Sequence, residues 1–114
     1  MDPCLFCSII KGDIKGDIVY QDNSVVAFRD ISPKAPVHIL IVPRKHIETL
    51  LDLRDEDQGL IGEICCVASQ LAKDQGISKD GFRLVANCGP GAGQSVYHIH
   101  FHLLGGRPFS WPPG

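Results

Sequence analysis

The hydrophobic residues in the middle of the chain recur three and four positions apart. They follow Asp55, which resembles the start of a capping box with Gln58, and they stop before Gly76, a residue typical of helix ends. The apolar positions are Leu60, Ile61, Ile64, Cys65, Val67, Ala68, Leu71 and Ala72. This spacing predicts one long amphipathic helix that buries its apolar stripe against another element.

Elsewhere, short apolar runs alternate with glycine, proline and turn-forming residues. They predict five strands, over residues 18–20, 25–29, 38–42, 82–87 and 97–104. A short helix over residues 6–11 is expected to end at Gly12, and a short helical turn is expected from His46. Strands joined by short loops, with one long helix, indicate an α+β fold: a five-stranded antiparallel sheet with one long and one or two short helices.

Length and composition fit a single domain over residues 1–114. Hydrophobic residues make up 44% of the chain and charged residues 21%, as in ordinary folded domains. The formal charge is only -2, and no run of lysine or arginine is present. This nearly neutral charge therefore gives no electrostatic basis for binding a nucleic-acid polymer or a membrane surface. It is compatible with a small anionic ligand.

The amino-terminal residues lack the basic start and apolar stretch of a secretory signal, so we expect a cytoplasmic protein. The five cysteines are accordingly expected to be reduced thiols or metal ligands. Cys65, Cys66 and Cys88 are interpreted as small buried apolar residues.

Three of the five histidines alternate with large apolar residues near the carboxyl terminus. His98, His100 and His102 lie two positions apart, so a strand would place all three imidazoles on one face. Imidazole acts near neutral pH as nucleophile, acid, base or metal ligand. The row therefore indicates either transfer of an anionic group or metal binding.

A glycine-rich loop, with three glycines between positions 89 and 93, precedes this histidine run and continues into Gln94 and Ser95. Glycines let backbone N–H groups converge on one anion, although such a loop alone is typical of an ordinary hairpin turn. Because the loop leads directly into His98, we expect it to bring phosphate-binding groups close to the imidazoles.

The run His98-Ile99-His100-Phe101-His102-Leu103-Leu104 resembles the signature of the histidine triad (HIT) nucleotide-binding superfamily. Further segments are similar to its purine nucleoside phosphoramidase branch: residues 28–33 (FRDISP), 43–47 (PRKHI), 93–97 (GQSVY) and 111–114 (WPPG). Essentially the whole chain is covered by the resemblance.

The resemblance implies a homodimer in which two five-stranded sheets join into one of ten strands. It implies binding of purine nucleoside monophosphates and hydrolysis of the bond from the α-phosphorus to an amine, with no cofactor required for catalysis. His100 would be the nucleophile and form a nucleotidyl-histidine that water then cleaves. His102 and Ser95 would bind a phosphate oxygen or protonate the leaving amine, and His98 completes the catalytic set.

The resemblance also assigns ligand-binding residues. Asp30 would hold the ribose hydroxyls, Asn87 would face the site, and N–H groups from Gly93 to Ser95, including Gln94, would stabilise developing charge. Trp111 belongs to a tail expected to dock near the partner's active site. The apolar slot for the base would be formed by Leu5, Phe6, Ile9, Phe28 and Ile31. Without the resemblance, Asp30 is equally typical of a turn and the aromatic residues of a core.

Cys4 and Cys7, with His46 and His98, form a possible Cys2His2 set for structural zinc. Bacterial-type histidine triad proteins that carry zinc are similar here, although a single C-x-x-C motif also fits two thiols packed in a core. If zinc binds, His98 is a structural ligand. His38 is interpreted as a structural strand residue outside the site.

Two alternatives remain open beside the phosphoramidase hypothesis. One is hydrolysis of dinucleoside polyphosphates, against which the WPPG ending and Gln94-Ser95 argue. The other is a non-catalytic purine nucleotide-binding or adaptor protein. The preference between adenine and guanine is left open.

Overall fold

The computed structural model describes residues 3–114, so the first two residues of the predicted domain lie outside the described part. In this part of the chain, five strands and two α-helices form an α+β fold, as the sequence predicts. The helices are α1 (Leu5–Lys11) and α2 (Gln58–Asp74). The strands are β1 (Ile18–Gln21), β2 (Val25–Arg29), β3 (Val37–Pro43), β4 (Phe82–Ala86) and β5 (Phe101–Gly105). Short 3-10 turns cover Leu50–Asp52, Asp55–Asp57 and Pro90–Ala92.

The sheet is antiparallel throughout, with the order β1-β2-β3-β5-β4. Every residue of the central strand β3 is buried, because helices cover both of its faces. On one face Ile39, Ile41 and Leu103 pack against Ile64 and Leu71 of α2. The other face packs against α1, in a cluster formed by Phe6, Ile9, Val26, Phe28, Leu40 and Val42. The strand alternation thus assigns one core to each helix.

The ends of the long helix differ in detail from the prediction. A 3-10 turn precedes α2, and the Asp57 carboxylate accepts the Arg54 N–H at 3.0 Å at the start of that turn, whereas Asp57 makes no side-chain capping hydrogen bond to α2 itself. Asp57 is buried and also accepts from Lys45 Nζ at 2.7 Å. The carboxyl end agrees with the sequence, since Gly76 has a left-handed φ of 73° just beyond the helix.

The predicted burial of two cysteines is wrong. Cys65 and Cys66 are exposed on α2 and Cys88 is half-buried. The buried stripe of α2 runs through Ile64, Val67 and Ala68. At 100° per residue, positions 65 and 66 fall on the solvent side.

The predicted strand over residues 97–104 is only half formed. β5 begins at Phe101, and the residues before it are irregular: the Ile99 N–H donates to the Ile47 carbonyl at 2.7 Å instead of joining the sheet. The three histidines therefore do not share one strand face. The helical turn predicted from His46 is also displaced, to Leu50–Asp52.

Within residues 3–114, no helix combines the length and apolar character that crossing a bilayer requires.

Candidate functional site

A cavity of about 750 Å³ opens between α1, the segment after it, the end of β2 and the residues that lead into β5. Nine of the sequence-predicted residues line it: Leu5, Phe6, Ile9, Phe28, Asp30, Ile31, Ser95, His100 and His102. Seven further lining residues were not anticipated: Ile14, Lys15, Gly16, Asp17, Arg29, Leu40 and Val96. The fold thus brings the predicted apolar slot and two of the three triad histidines to one pocket.

Aromatic rings form the floor of this cavity. The Phe6 ring stands edge-on to Phe28 at a centroid distance of 5.3 Å and to His100 at 5.0 Å. At the mouth, Ile31 is 99% exposed and Leu5 is 45% exposed. Since exposed apolar side chains at a cavity mouth are typical of a ligand slot, this end suits a flat apolar group.

His100 is held by the main chain in a defined tautomer. Its Nδ1 lies 2.8 Å from the carbonyl oxygen of His98, and a carbonyl can only accept a hydrogen bond, so Nδ1 carries the proton. Neutral His100 therefore has its lone pair on Nε2. The side chain is buried, so its orientation is fixed before any ligand arrives.

His102 contacts a histidine that sequence reasoning left outside the site. His38 Nε2 lies 2.9 Å from His102 Nδ1, and the Lys34 N–H donates to His38 Nδ1 at 3.0 Å. Because Nδ1 of His38 must accept, neutral His38 carries its proton on Nε2 and donates it to His102. His102 in turn carries its own proton on Nε2. The site therefore contains a relay of defined tautomers, and His38 belongs to it.

The alternation of side chains along β3 is the feature that places His38 on the same face as His102. Leu40 is the register partner of His102, and opposite residues of antiparallel strands point to the same face. His38 lies two positions before Leu40 and shares that face. The sequence does not show that β3 pairs with β5, so the contact could not be inferred from it.

Both histidines of the relay are neutral at pH 7. Burial, followed by the nearby His100 and His38, lowers the pKa of His102 from its ordinary value of 6.5 to about 4. Burial likewise lowers the pKa of His38, although the carboxylate of Asp30 acts in the opposite direction. The relay thus offers His102 Nε2–H as a hydrogen-bond donor.

Asp30 presents one carboxylate oxygen to this relay. Its Oδ1 accepts the Ser32 N–H at 2.7 Å, which forms a turn of the kind that aspartate favours. Its Oδ2 lies 3.5 Å from His38 Nε2, and the side chain is only 20% exposed. Asp30 therefore both forms a turn and lines the cavity.

Four of the predicted nucleotide-binding residues do not line the cavity: Asn87, Gly93, Gln94 and Trp111. Gln94 is buried, and its side chain accepts the Gly89 N–H at 2.9 Å and donates to the carbonyls of Glu48 and Val96. The Gly93 and Gln94 N–H groups donate to the carbonyls of Pro90 and Gly89 within the loop. These two groups therefore stabilise the loop itself, and Ser95 is the loop residue that reaches the cavity.

Asn87, the third residue outside the lining, is half-buried directly after β4. Trp111, the fourth, is 85% exposed in a tail held against β4. Arg83 of β4 donates to the carbonyls of Ser110 and Pro113, and its guanidinium lies 5.0 Å from the centroid of the Phe109 ring. The tail is thus held against its own chain, and Trp111 does not line that chain's cavity.

Cys4, Cys7, His46 and His98 converge beside the pocket, with their ligand atoms within 4.8 Å of one another. His98 Nδ1 lies 3.5 Å from each sulfur and 3.2 Å from His46 Nδ1, and Cys7 Sγ lies 3.4 Å from His46 Nδ1. Ligands of one tetrahedral zinc, at about 2.3 Å for sulfur and 2.0–2.1 Å for nitrogen, stand about 3.5 Å (N to S) and about 3.3 Å (N to N) apart. The four residues fit zinc.

His98 also has the tautomer that a metal requires. Its Nε2 lies 2.7 Å from the Pro43 carbonyl and must donate to it, so Nδ1 keeps a lone pair directed at the cluster. A backbone carbonyl that receives the second ring proton is the usual support of a metal-binding histidine. The side chain of His98 is completely buried.

A second group of potential ligands, Asp30, His38 and His102, does not fit a metal. A metal on His38 Nε2 would require the proton of neutral His38 on Nδ1, which faces the Lys34 N–H at 3.0 Å. Two donors would then oppose each other. The short distance between His38 and His102 is accounted for by the hydrogen bond alone.

The fold and the site define an α+β protein with a cavity lined by His100 and His102. The HIT domain model matches residues 11–109, and the chain belongs to the HIT family. The purine nucleoside phosphoramidase of Escherichia coli K12 is 52% identical over 104 residues, which cover 91% of this chain and 87% of the relative. An uncharacterised HIT-like protein of Synechococcus elongatus is 47% identical over 96% of both chains.

Among solved structures, a HIT family hydrolase from Legionella pneumophila superposes with a TM-score of 0.95 at 52% identity. The match covers 97% of this chain and 99% of that chain. The backbone arrangement described above is therefore that of the family.

Proposed function

We propose that the protein is a purine nucleoside phosphoramidase that hydrolyses the P–N bond of nucleoside 5'-phosphoramidates. The observation that carries the proposal is the tautomer of His100. Its Nδ1–H is held by the His98 carbonyl at 2.8 Å, so the lone pair of Nε2 is available in a cavity that Asp30 and His102 also line. The similarity to the Escherichia coli phosphoramidase supports the same reaction.

The reaction takes two steps. His100 Nε2 attacks the α-phosphorus, the P–N bond breaks, and the leaving nitrogen takes a proton from solvent, for which the Ser95 hydroxyl is the proposed carrier, so that the neutral amine departs. Water then attacks the phosphorus of the nucleotidyl-histidine, the bond to Nε2 breaks, and the nucleoside monophosphate is released with neutral His100. The overall change is the addition of one water across the P–N bond.

His102 lines the same cavity as His100 and is the side-chain donor that we propose for the reacting phosphate group. It is neutral in the free protein because burial lowers its pKa to about 4. Because the His38 Nε2–H occupies its Nδ1, we propose that His102 acts in this neutral form and donates its Nε2–H as a hydrogen bond to the leaving nitrogen or to a phosphate oxygen. Ser95 lines the same part of the cavity and is proposed to bind a phosphate oxygen.

The remaining lining residues fit a purine ribonucleoside. Asp30 can accept hydrogen bonds from both ribose hydroxyls, and Phe6, Phe28 and Ile31 offer an apolar slot of suitable shape for the base. Hydroxyl recognition by a carboxylate favours ribonucleotides over deoxyribonucleotides.

We also propose that Cys4, Cys7, His46 and His98 hold a structural zinc ion. The proposal rests on the spacing of the four ligand atoms and on the hydrogen bond from His98 Nε2 to Pro43. When bound, such an ion would tie α1 to the segment that carries His100. Catalysis uses no cofactor in this proposal.

The proposed assembly is a homodimer with a continuous ten-stranded sheet. The strand order leaves β1 and β4 as edges. The pairing of β1 with β2 shifts register between Ile18 and Tyr20, whereas β4 pairs with β5 without a break. Irregular edges resist further pairing, so β4 is the proposed contact.

The test is release of AMP from an adenosine 5'-phosphoramidate by the wild-type protein and by His100→Asn, with a dinucleoside polyphosphate as a parallel substrate. We expect phosphoramidate turnover that the variant loses by at least about 10⁴-fold while AMP still binds. Preferred cleavage of the dinucleoside polyphosphate would favour the first alternative. AMP binding without turnover of either substrate would overturn the enzyme hypothesis and leave a nucleotide-binding protein.

A further inference from the structure

The residues that line the cavity follow an order, from His100 through Phe6 and Ile9 to Gly16. The Phe6 ring lies 5.0 Å from the His100 ring. Ile9 follows on the same side of α1, three residues and about 4.5 Å further along the helix axis. Gly16 lies directly against Ile9, and both residues line the cavity. Gly16 is therefore at the end of the apolar slot that is remote from the nucleophile.

Gly16 is a glycine because of its neighbour and not because of its backbone. Its φ is not positive, so the backbone conformation is open to other residues. A Cβ at this position would lie 2.8 Å from Ile9 Cγ2, whereas carbon atoms in contact stand about 3.5–4.0 Å apart. The missing side chain thus lets the chain after α1 close against Ile9 without filling the end of the slot.

Ile9 has little freedom to move away from position 16. Its side chain is only 8% exposed and packs in the same cluster as Phe6 and Phe28. A β-branched residue within a helix also has essentially one χ1 rotamer. The clash with a Cβ at position 16 could therefore not be relieved by a simple rotation of Ile9.

The segment that carries Gly16 is held on both sides. Before it, the Ile14 N–H donates to the Ser8 carbonyl at 3.3 Å. After it, the Asp17 carbonyl accepts the Arg29 N–H at 3.0 Å, directly before β1. A larger residue at position 16 would consequently change the shape of the slot itself.

We propose that Gly16 is a specificity-determining residue that gives the slot the length of a two-ring base. The proposal rests on the proposed function for the identity of the ligand. With the phosphate at His100 and the ribose at Asp30, one end of a nucleotide is fixed, so the length of the base decides whether it reaches Gly16. The six-membered ring of a purine lies distal to the ribose and reaches this end, whereas a pyrimidine, with a single ring, stops before it.

The experiment is calorimetric titration of wild type and Gly16→Ala with AMP, CMP and ribose 5-phosphate. We expect wild type to prefer AMP to CMP. In Gly16→Ala the affinity for AMP should fall about tenfold, and that for the other two ligands by less than about twofold, because only the purine meets the added methyl group. Equal losses for all three ligands, or equal affinities of wild type for AMP and CMP, would overturn the proposal.

Gly62→Ala is the matched control. Gly62 also has a φ that is not positive, it is exposed on α2, and a Cβ there has nothing within 4 Å. This variant should bind the three ligands as wild type does. The same loss of AMP affinity in both variants would overturn the assignment to position 16.

A second background tests the contact with Ile9. Leucine has no branch at Cβ, so Ile9→Leu lacks the Cγ2 atom, while the Cγ1 of Ile9 would be at an ordinary distance of 3.9 Å from the Cβ at position 16. In Ile9→Leu the further change Gly16→Ala should weaken AMP binding by about threefold instead of tenfold. Equal losses in both backgrounds would overturn the role of this contact.

If Gly16→Ala does not fold, NMR of wild type decides the question. AMP should shift the backbone amide resonance of Gly16, whereas CMP and ribose 5-phosphate should leave it near its ligand-free position. Identical responses to AMP and ribose 5-phosphate would overturn the proposal.

All of these measurements report binding and are independent of turnover. A protein with the expected base dependence but without phosphoramidase activity would reject the proposed reaction alone. An active phosphoramidase whose wild type binds AMP and CMP equally would reject the role of Gly16 alone.

Discussion

At the scale of single residues, the site is organised by backbone groups that decide where each imidazole carries its proton. The carbonyls of His98 and Pro43 accept from His100 and His98, and the Lys34 N–H donates to His38. Fixed partners of this kind orient a ring before the ligand binds and so reduce the reorganisation that the reaction requires. The pattern His-x-His-x-His contains the residues but none of these partners.

The depressed pKa of His102 predicts a pH-dependent stability. In the unfolded chain the ordinary pKa is 6.5, and in the folded protein it is about 4, so between these values the unfolded state binds more protons. The stabilisation is fully present above pH 6.5 and is lost as the pH falls toward 4. Between pH 7 and pH 4, the difference in unfolding free energy between wild type and His102→Asn should shrink by about 2 kcal/mol. Urea unfolding at several pH values measures it.

The comparison cancels contributions that both proteins share, including any from the cysteine and histidine cluster. Parallel pH dependences of wild type and His102→Asn would contradict the assignment of this change to His102.

At the scale of elements, α1 serves two sites at once. Cys4 precedes it and Cys7 lies in its first turn, while Phe6 and Ile9 from the same helix pack against Phe28 and line the cavity. Seven residues are too few for an isolated helix to be stable in water, so its position depends on what it packs against. The cysteine and histidine cluster is therefore coupled to the shape of the apolar slot.

The double variant Cys4→Ser/Cys7→Ser should lose bound zinc and weaken AMP binding about tenfold, which corresponds to about 1.4 kcal/mol. Metal analysis of purified protein and calorimetric titration with AMP measure the two effects. The matched control is Cys65→Ser/Cys66→Ser, because these thiols are exposed on α2, away from the cavity. Full zinc content in the first variant would reject the ligand set. Zinc loss with unchanged AMP affinity would reject the coupling through α1.

Element type was predictable, whereas the placement of single residues depended on pairings that a sequence does not display. The helical stripe of α2 and the five apolar runs each follow from local periodicity, and they are confirmed. The strand predicted over residues 97–104 is not formed at His98, because the His98 side chain contacts Cys4 and Cys7. These cysteines are 94 and 91 residues earlier in the sequence. His38 was missed for the same reason, since its significance arises only when β3 pairs with β5.

At the scale of the whole molecule, the two edge strands of the sheet, β1 and β4, differ in the regularity of their pairing. The irregular register of β1 discourages further pairing, whereas the unbroken β4 offers an edge that a second copy could extend. The tail beyond β5 is fastened to that same edge by Arg83, with Trp111 exposed. A second chain at β4 would thus lie beside both tails.

We expect a dimer in sedimentation velocity, and slower hydrogen exchange of β4 amides than of β1 amides as the protein concentration rises. The reason is that pairing covers the free N–H groups of only one edge. The two ends of the sheet serve as controls for each other. A monomer at all concentrations, or protection confined to β1, would contradict the proposed contact.

His98 has one further consequence, for redesign. Its side chain belongs to the cysteine cluster, but its carbonyl, and not its ring, holds His100. A protein engineer could therefore exchange the whole Cys2His2 set for a close-packed hydrophobic plug and keep the nucleophile's support, since every residue type supplies the same carbonyl. The difficulty would lie in packing α1 in its present position. The design of a metal-free variant is therefore a problem of core packing and not of the catalytic residues.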